Sequence, residues 1–196
     1  MMKRFLCTTS LMILLLITFG LIAAYAAFAS SSGVQQYNYG IVQFPPNKQY
    51  AVYSGPGTGY VRANNGKAMV STNDWIDVIG TDGDWVLIEY RLNQGGLRRG
   101  YIQKNLLPTS VREKVPAIIK QYLSGATKTK CSLTDDPAKS QRELALLSEG
   151  TNLLLLSVYT NDNSQTFWYV EVKLQTGTMR GYVLSSAVGE GASSNG

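Results

Sequence analysis

From Tyr50 onward the chain is broken every ten residues or so by turn-forming residues, and the runs between them are too short for helices. Ser54-Gly55-Pro56-Gly57, Asn64-Asn65-Gly66, Asp82-Gly83, Asn93-Gln94-Gly95-Gly96 and Asn161-Asp162-Asn163 supply the breaks. Between them lie apolar and aromatic runs such as Trp85-Val86-Leu87-Ile88-Glu89-Tyr90. β-branched and aromatic runs bounded by Gly, Asn and Asp read as strands, and Asp-Gly between two of them reads as a tight hairpin. No stretch in this region carries the spacing of an amphipathic helix. An all-β chain of small barrels or sandwiches is expected.

The layout occurs twice. Asp135-Asp136-Pro137 stands where Ser54-Gly55-Pro56 stood, Phe167-Trp168-Tyr169-Val170-Glu171 matches Asp84-Trp85-Val86-Leu87-Ile88-Glu89 in character, and Arg180-Gly181-Tyr182-Val183 answers Arg99-Gly100-Tyr101-Ile102. Trp85 pairs with Trp168 in this alignment, with offsets of the size that hairpin-loop changes produce. A duplication is expected, with about sixty residues in each copy.

These residues resemble the bacterial SH3 (SH3b) family. Tyr53-Ser54-Gly55-Pro56-Gly57-Thr58-Gly59-Tyr60, then Asp84-Trp85, then Gly100-Tyr101-Ile102 carry the pattern in the first copy. The second copy departs from it, with Asp135-Asp136-Pro137 in place of Ser-Gly-Pro and no tyrosine four residues after the proline. The resemblance implies two small SH3-like β-barrels in tandem, at 48–108 and 109–188, usually extracellular and often attached to cell-wall hydrolases. Some members bind peptidoglycan peptides beside the loop that follows the first strand.

Residues 1–29 read as an export signal. Lys3 and Arg4 precede an apolar run ending in Ala27-Phe28-Ala29, a small-x-small cleavage site. An uncleaved membrane anchor is the alternative, because the run is nearly long enough to span a bilayer. Either way an extracellular or cell-envelope location is expected. Cys7 precedes the apolar run and so does not read as a lipoprotein cysteine. Residues 30–47, uncharged up to Lys48, read as a linker, and 189–196 as a flexible tail. Cys131 reads as a small buried hydrophobe.

Composition narrows the chemistry. There is no histidine among the 196 residues, so Cys-His and Ser-His catalysis and His-zinc sites are excluded. The formal charge of +5 falls to +3 without Lys3 and Arg4, and the bases are not clustered, which argues against nucleic acid. The glycine-rich 55–59 segment holds Pro56 and opens no helix, so phosphate binding is not expected. Asp82 and Asp84 are an acid pair, but a hairpin turn would leave both solvated with ordinary titration. The expectation is a non-catalytic binder without cofactor or metal. Its ligand-binding residues are Tyr53, Tyr60, Arg62, Trp75, Arg98 and Arg99, aromatics for stacking and arginines for carboxylates. Trp85 and Tyr101 are expected as core. The partner is peptidoglycan or a wall peptide, or else an exported protein docked by an adaptor, with membrane contact only through an uncleaved leader.

Overall fold

The computed structural model describes residue 36 and residues 38–61, 68–92, 95–137 and 142–190. The expected leader, Arg62 and the tail after residue 190 lie outside the described residues. The chain divides into two compact units, Met1–Gly33 and Val34–Gly196, and all the described residues belong to the second.

The fold is all-β, as the punctuation predicts. β1 (Gly40–Ile41), β4 (Ile76–Asp82), β5 (Trp85–Arg91) and β6 (Leu97–Gln103) form a four-stranded sheet in the order β1-β4-β5-β6. β2 (Gln49–Ala51) pairs with β3 (Met69–Ser71). A 3-10 turn at Lys104–Leu106 and one helical turn, α1 (Thr109–Arg112), follow β6. The second sheet holds β7 (Leu123–Thr127), β8 (Cys131–Thr134), β9 (Glu143–Leu147), β10 (Asn152–Thr160), β11 (Thr166–Leu174), β12 (Gly177–Leu184) and β13 (Val188–Glu190). Its strands run in the order β13-β7-β10-β11-β12-β8-β9. The Asp82-Gly83 hairpin forms as expected, with Asp82 paired to Trp85 and Gly83 at φ 60°, a left-handed conformation that glycine adopts without strain.

The meanders β4-β5-β6 and β10-β11-β12 carry the same features in the same register. Each first strand has a bulge, between Val78 and Gly80 in β4 and between Leu155 and Ser157 in β10. Each middle strand sets a glutamate opposite an arginine, Glu89 against Arg99 and Glu171 against Arg180. Leu87 faces Tyr101 where Tyr169 faces Tyr182. In this register Trp85, opposite Gln103, corresponds to Phe167, opposite Leu184, and not to Trp168.

Packing runs across two of the expected boundaries. Val42 and Phe44, placed in a linker by composition, are buried in the first core. Leu107 and Val115 close the same core, and the backbone at 116–118 hydrogen-bonds to Thr81. The second sheet starts only at Leu123.

Each sheet has its own core, one around Val78, Val86, Ile88 and Ile102 and the other around Leu133, Leu155, Val170 and Val183. A third cluster unites them. Ile79, Leu87 and Tyr101 from the first meander pack with Leu156, Phe167, Tyr169 and Tyr182 from the second. Successive strand residues point to opposite faces, so β5 buries Val86, Ile88 and Tyr90 in its own core and Leu87 against the other sheet. That explains why the strand is apolar on both faces, as strands covered on both sides are.

Gly181 lies so close to β8 that a Cβ there would sit 2.6 Å from the Thr134 carbonyl oxygen. Thr134 pairs with the adjacent Tyr182, so the contact cannot relax without separating β8 from β12. Gly181→Ala is expected to destabilise the chain by about 1–3 kcal/mol, the usual range for overpacking. A thermal melt checks this, and an unchanged midpoint would refute the close approach.

Candidate functional site

The loops that carry the sequence motif are partly covered, with Thr58 and Gly59 still exposed. Each straps onto the opposite half. Arg180 donates its backbone N–H to the Ser54 carbonyl at 3.0 Å, and Arg99 donates its own to the Asp135 carbonyl at 3.0 Å. The leading segments cross in the same reciprocal way. Gln36 donates its N–H to Val158 of the second half at 3.0 Å, and Ile118 donates to Thr81 of the first at 2.8 Å.

The side chains extend the exchange. Arg99 Nε donates to Glu89 Oε2 at 2.7 Å and lies 3.5 Å from Asp136 Oδ2. Its Nη1 donates to Gln36 Oε1 and to the Tyr182 hydroxyl oxygen, both at 3.0 Å, and the guanidinium covers the Tyr159 ring at 4.4 Å. Arg180 Nε donates to Glu171 Oε2 at 2.7 Å and its Nη1 to Asp82 Oδ2 at 2.7 Å, with the guanidinium 5.5 Å from the Tyr60 ring. Lys120 pairs with the other Asp82 oxygen. The Tyr169 hydroxyl donates to that of Tyr101 at 3.1 Å. Arg98 Nε donates to Asp135 Oδ2 at 2.6 Å. These groups are nearly all buried, Asp136 and Tyr101 fully so.

Such a cluster shifts titration. Burial alone would lower the Arg99 value, but the facing Tyr182, Glu89 and Asp136 hold it well above the ordinary one. Burial would raise Asp82, yet its hydrogen bonds from Lys120 and Arg180 bring it below the usual carboxylate value. Burial lifts the phenols of Tyr101, Tyr169 and Tyr182. Burial and the hydrogen bond to Glu171 push Tyr60 up to about 12.

This arrangement corrects several expectations. Arg98 and Arg99, expected at an accessible edge, are buried and paired with Asp135, Glu89 and Asp136, because adjacent strand residues point to opposite faces and both faces here are covered. Tyr60, expected on an open groove wall, is half-buried, its hydroxyl donating to Glu171 Oε2 of the other half at 2.6 Å. Tyr53 is half-buried edge-on against Trp85, with ring centroids 5.3 Å apart. Arg62 lies outside the described residues. Asp82 is an interior ion-pair partner rather than a solvated turn residue. Trp85 is only partly buried, whereas Tyr101 is core as expected. Cys131 is half-buried against the second core, and desolvation raises its thiol. Asp135 and Asp136, aligned from sequence with Ser54 and Gly55, are buried anions paired with Arg98 and Arg99.

On the first sheet, two grooves lie on either side of its covered middle. Trp75, Asp74, Glu89, Arg91, Leu92 and Leu97 line a groove of about 800 Å³ at one end of β5. Asp84, Trp85, Lys104, Asn105, Arg112 and Glu113 line another of about 570 Å³ at the other end. Each combines a tryptophan with side chains of both charge signs. Of the six residues expected to bind ligand, Trp75 lines one of these grooves. Among the described residues no group of His, Cys, Asp and Glu is placed to hold a metal ion.

No protein-family model matches the chain, and no curated protein matches it in sequence. Solved structures similar to it include NlpC2 from Trichomonas vaginalis, 13% identical with a TM-score of 0.30 over 80% of this chain and 48% of that one. NlpC1 from the same organism is 13% identical with a TM-score of 0.31, over 82% and 48% respectively. Ly7917, solved with the hydrolyzing product of MDP, is 19% identical with a TM-score of 0.27, over 74% and 60%. The chain therefore spans about half the length of the first two. Similarity this low attaches no activity or ligand of those proteins to this chain.

Proposed function

We propose that this chain is an exported, non-catalytic binding protein, a duplicated pair of SH3b-like barrels that recognises cell-wall peptidoglycan through its stem peptides. The observation that carries the reading is the Trp75 groove, in which the indole stands beside Asp74 and Arg91. Stem peptides carry carboxylates, amides and free amines, so a groove of mixed charge with an aromatic wall suits them better than a purely apolar or purely basic one. The matched registers of the two meanders support the duplication, and the apolar N-terminal run with its small-x-small end supports export. Asp82 supports a non-catalytic reading, because Lys120 and Arg180 already hold both its oxygens. The Ser-Gly-Pro loop, where the family resemblance would place a ligand, is partly covered by the second half through Ser54 and Val61, which supports recognition at the sheet ends.

Co-sedimentation of the mature protein with isolated sacculi tests this. Binding at low salt is expected, with a loss of about tenfold or more on Trp75→Ala, as removing an aromatic anchor produces. Protein left wholly in the supernatant would overturn the proposal. Recovery of one exported protein in fixed ratio, without glycan, would replace it with the adaptor reading.

A further inference from the structure

The Trp75 and Trp85 grooves belong to one surface. Trp85, Leu87, Glu89 and Arg91 alternate along β5 and therefore share a face. The second half covers the middle of that face, at Leu87 and Tyr101, and leaves both ends uncovered. Trp85 and Arg91 are six positions apart, so these two lining residues stand about 20 Å apart along the strand. The sheet holds that spacing, since β5 pairs with β6 from Trp85 to Arg91 and with β4 from Trp85 to Tyr90.

We infer that the two grooves act together as a two-point reader of a repeating polymer, each taking one charged substituent of the same strand or of neighbouring strands. This rests on the proposed peptidoglycan reading and goes beyond it: the preferred ligand is the intact polymer, not a single stem peptide. Either groove alone is shallow and solvated, the setting in which one contact is weak. Two such contacts on a preset spacing raise affinity for a repeating ligand without any new interaction, by about a hundredfold or more where the geometry matches. The grooves differ in character: beside Trp75 stand Asp74 and Arg91, with Glu89 already held by Arg99, whereas the Trp85 groove has two residues of each sign, of which Lys104 pairs with Glu113. They therefore need not bind the same substituent.

The test uses the full mature chain and two surface substitutions, Asp74→Lys in one groove and Lys104→Glu in the other. Neither residue belongs to the buried network, and thermal melting confirms that each variant folds. Affinity is measured for intact sacculi by co-sedimentation and for soluble muramidase fragments of the same sacculi by competition. The expected result is a preference for sacculi of about tenfold or more per disaccharide-peptide unit, abolished by either substitution alone. Equal affinity for sacculi and fragments would overturn the two-point reading while leaving the peptidoglycan proposal standing. So would a Lys104→Glu variant that keeps the full preference. Failure of the unaltered chain to bind either form would overturn both.

Discussion

Replacing Arg99 with leucine is expected to destabilise the chain by about 3–5 kcal/mol, the loss seen when one partner of a buried ion pair is removed. For a protein of this size that is a fall of roughly 10 °C or more in melting temperature. The guanidinium faces Glu89 and Asp136 while donating to Gln36 and Tyr182. Leucine would fill part of the volume and leave both carboxylates facing a low-dielectric interior without that counter-charge. The effect should be far larger than for Arg91→Leu at the far end of β5, because Arg91 is exposed and surface substitutions usually change stability by no more than about 0.5 kcal/mol. Chemical or thermal denaturation of both variants measures the contrast. Were Arg99 instead a contact for ligand carboxylates, its leucine variant would melt normally and lose sacculus binding. That outcome would refute the placement of this side chain between the two halves.

Much of the fold was legible in the primary structure, and the reason is local. Gly83 after Asp82, and strand-forming residues on either side, dictate a hairpin whatever the rest of the chain does. The correspondence of Ser54-Gly55-Pro56 with Asp135-Asp136-Pro137 was also readable, and its consequence is concrete, since Ser54 and Asp135 accept equivalent backbone hydrogen bonds from Arg180 and Arg99. What local reasoning missed is where the outer faces go. A small barrel in isolation exposes one face of each strand, and on that assumption Arg98, Arg99 and Tyr60 were surface residues. The contrary signal lay in β5 and β11, where Leu87 and Tyr169, with Trp85 and Phe167, put large apolar residues on the second face as well as the first. Such runs ask for a cover on each side. The same oversight misplaced Asp136, whose burial makes sense only once an arginine from the other half is brought to it. Matching Trp85 to Trp168 failed for a different reason, since residue type drew the alignment while the strand register puts Trp85 in the place of Phe167. Of the candidate site, Trp75 was readable from its exposed setting beside Asp74, whereas the Trp85 groove depends on α1 folding back to supply Arg112 and Glu113, a long-range placement that local residue patterns do not encode.

The alkaline limb of the stability profile should be unusually steep. Tyr101, Tyr169 and Tyr182 are buried with their phenols raised, and Tyr60 is pushed up to about 12. In the unfolded chain all four would titrate near 10. A group whose folded value lies above its unfolded one contributes stability that is complete below the unfolded value and is lost as pH rises toward the folded value. The loss therefore begins near pH 10 and continues through pH 12, because the unfolded phenols release protons that the folded ones retain. Lys120 adds to the same limb. Burial would lower its value, but its pairing with Asp82 raises it, so the unfolded state deprotonates first. Each of these phenols adds to the loss in the same direction, because each is raised in the folded chain. At the acid end the sign reverses. Asp82 sits below its ordinary value, so its contribution is present above about pH 4 and fades as pH falls through the lowered one. Guanidinium denaturation at about pH 8, 10 and 11.5 measures the alkaline limb. The denaturation midpoint should hold steady between the first two and fall sharply at the third. Substituting Tyr169 with phenylalanine should flatten that fall, since one displaced phenol is gone while the ring still fills the shared cluster. A midpoint as high at the most alkaline point as at the first would mean that the tyrosines are not enclosed between the halves.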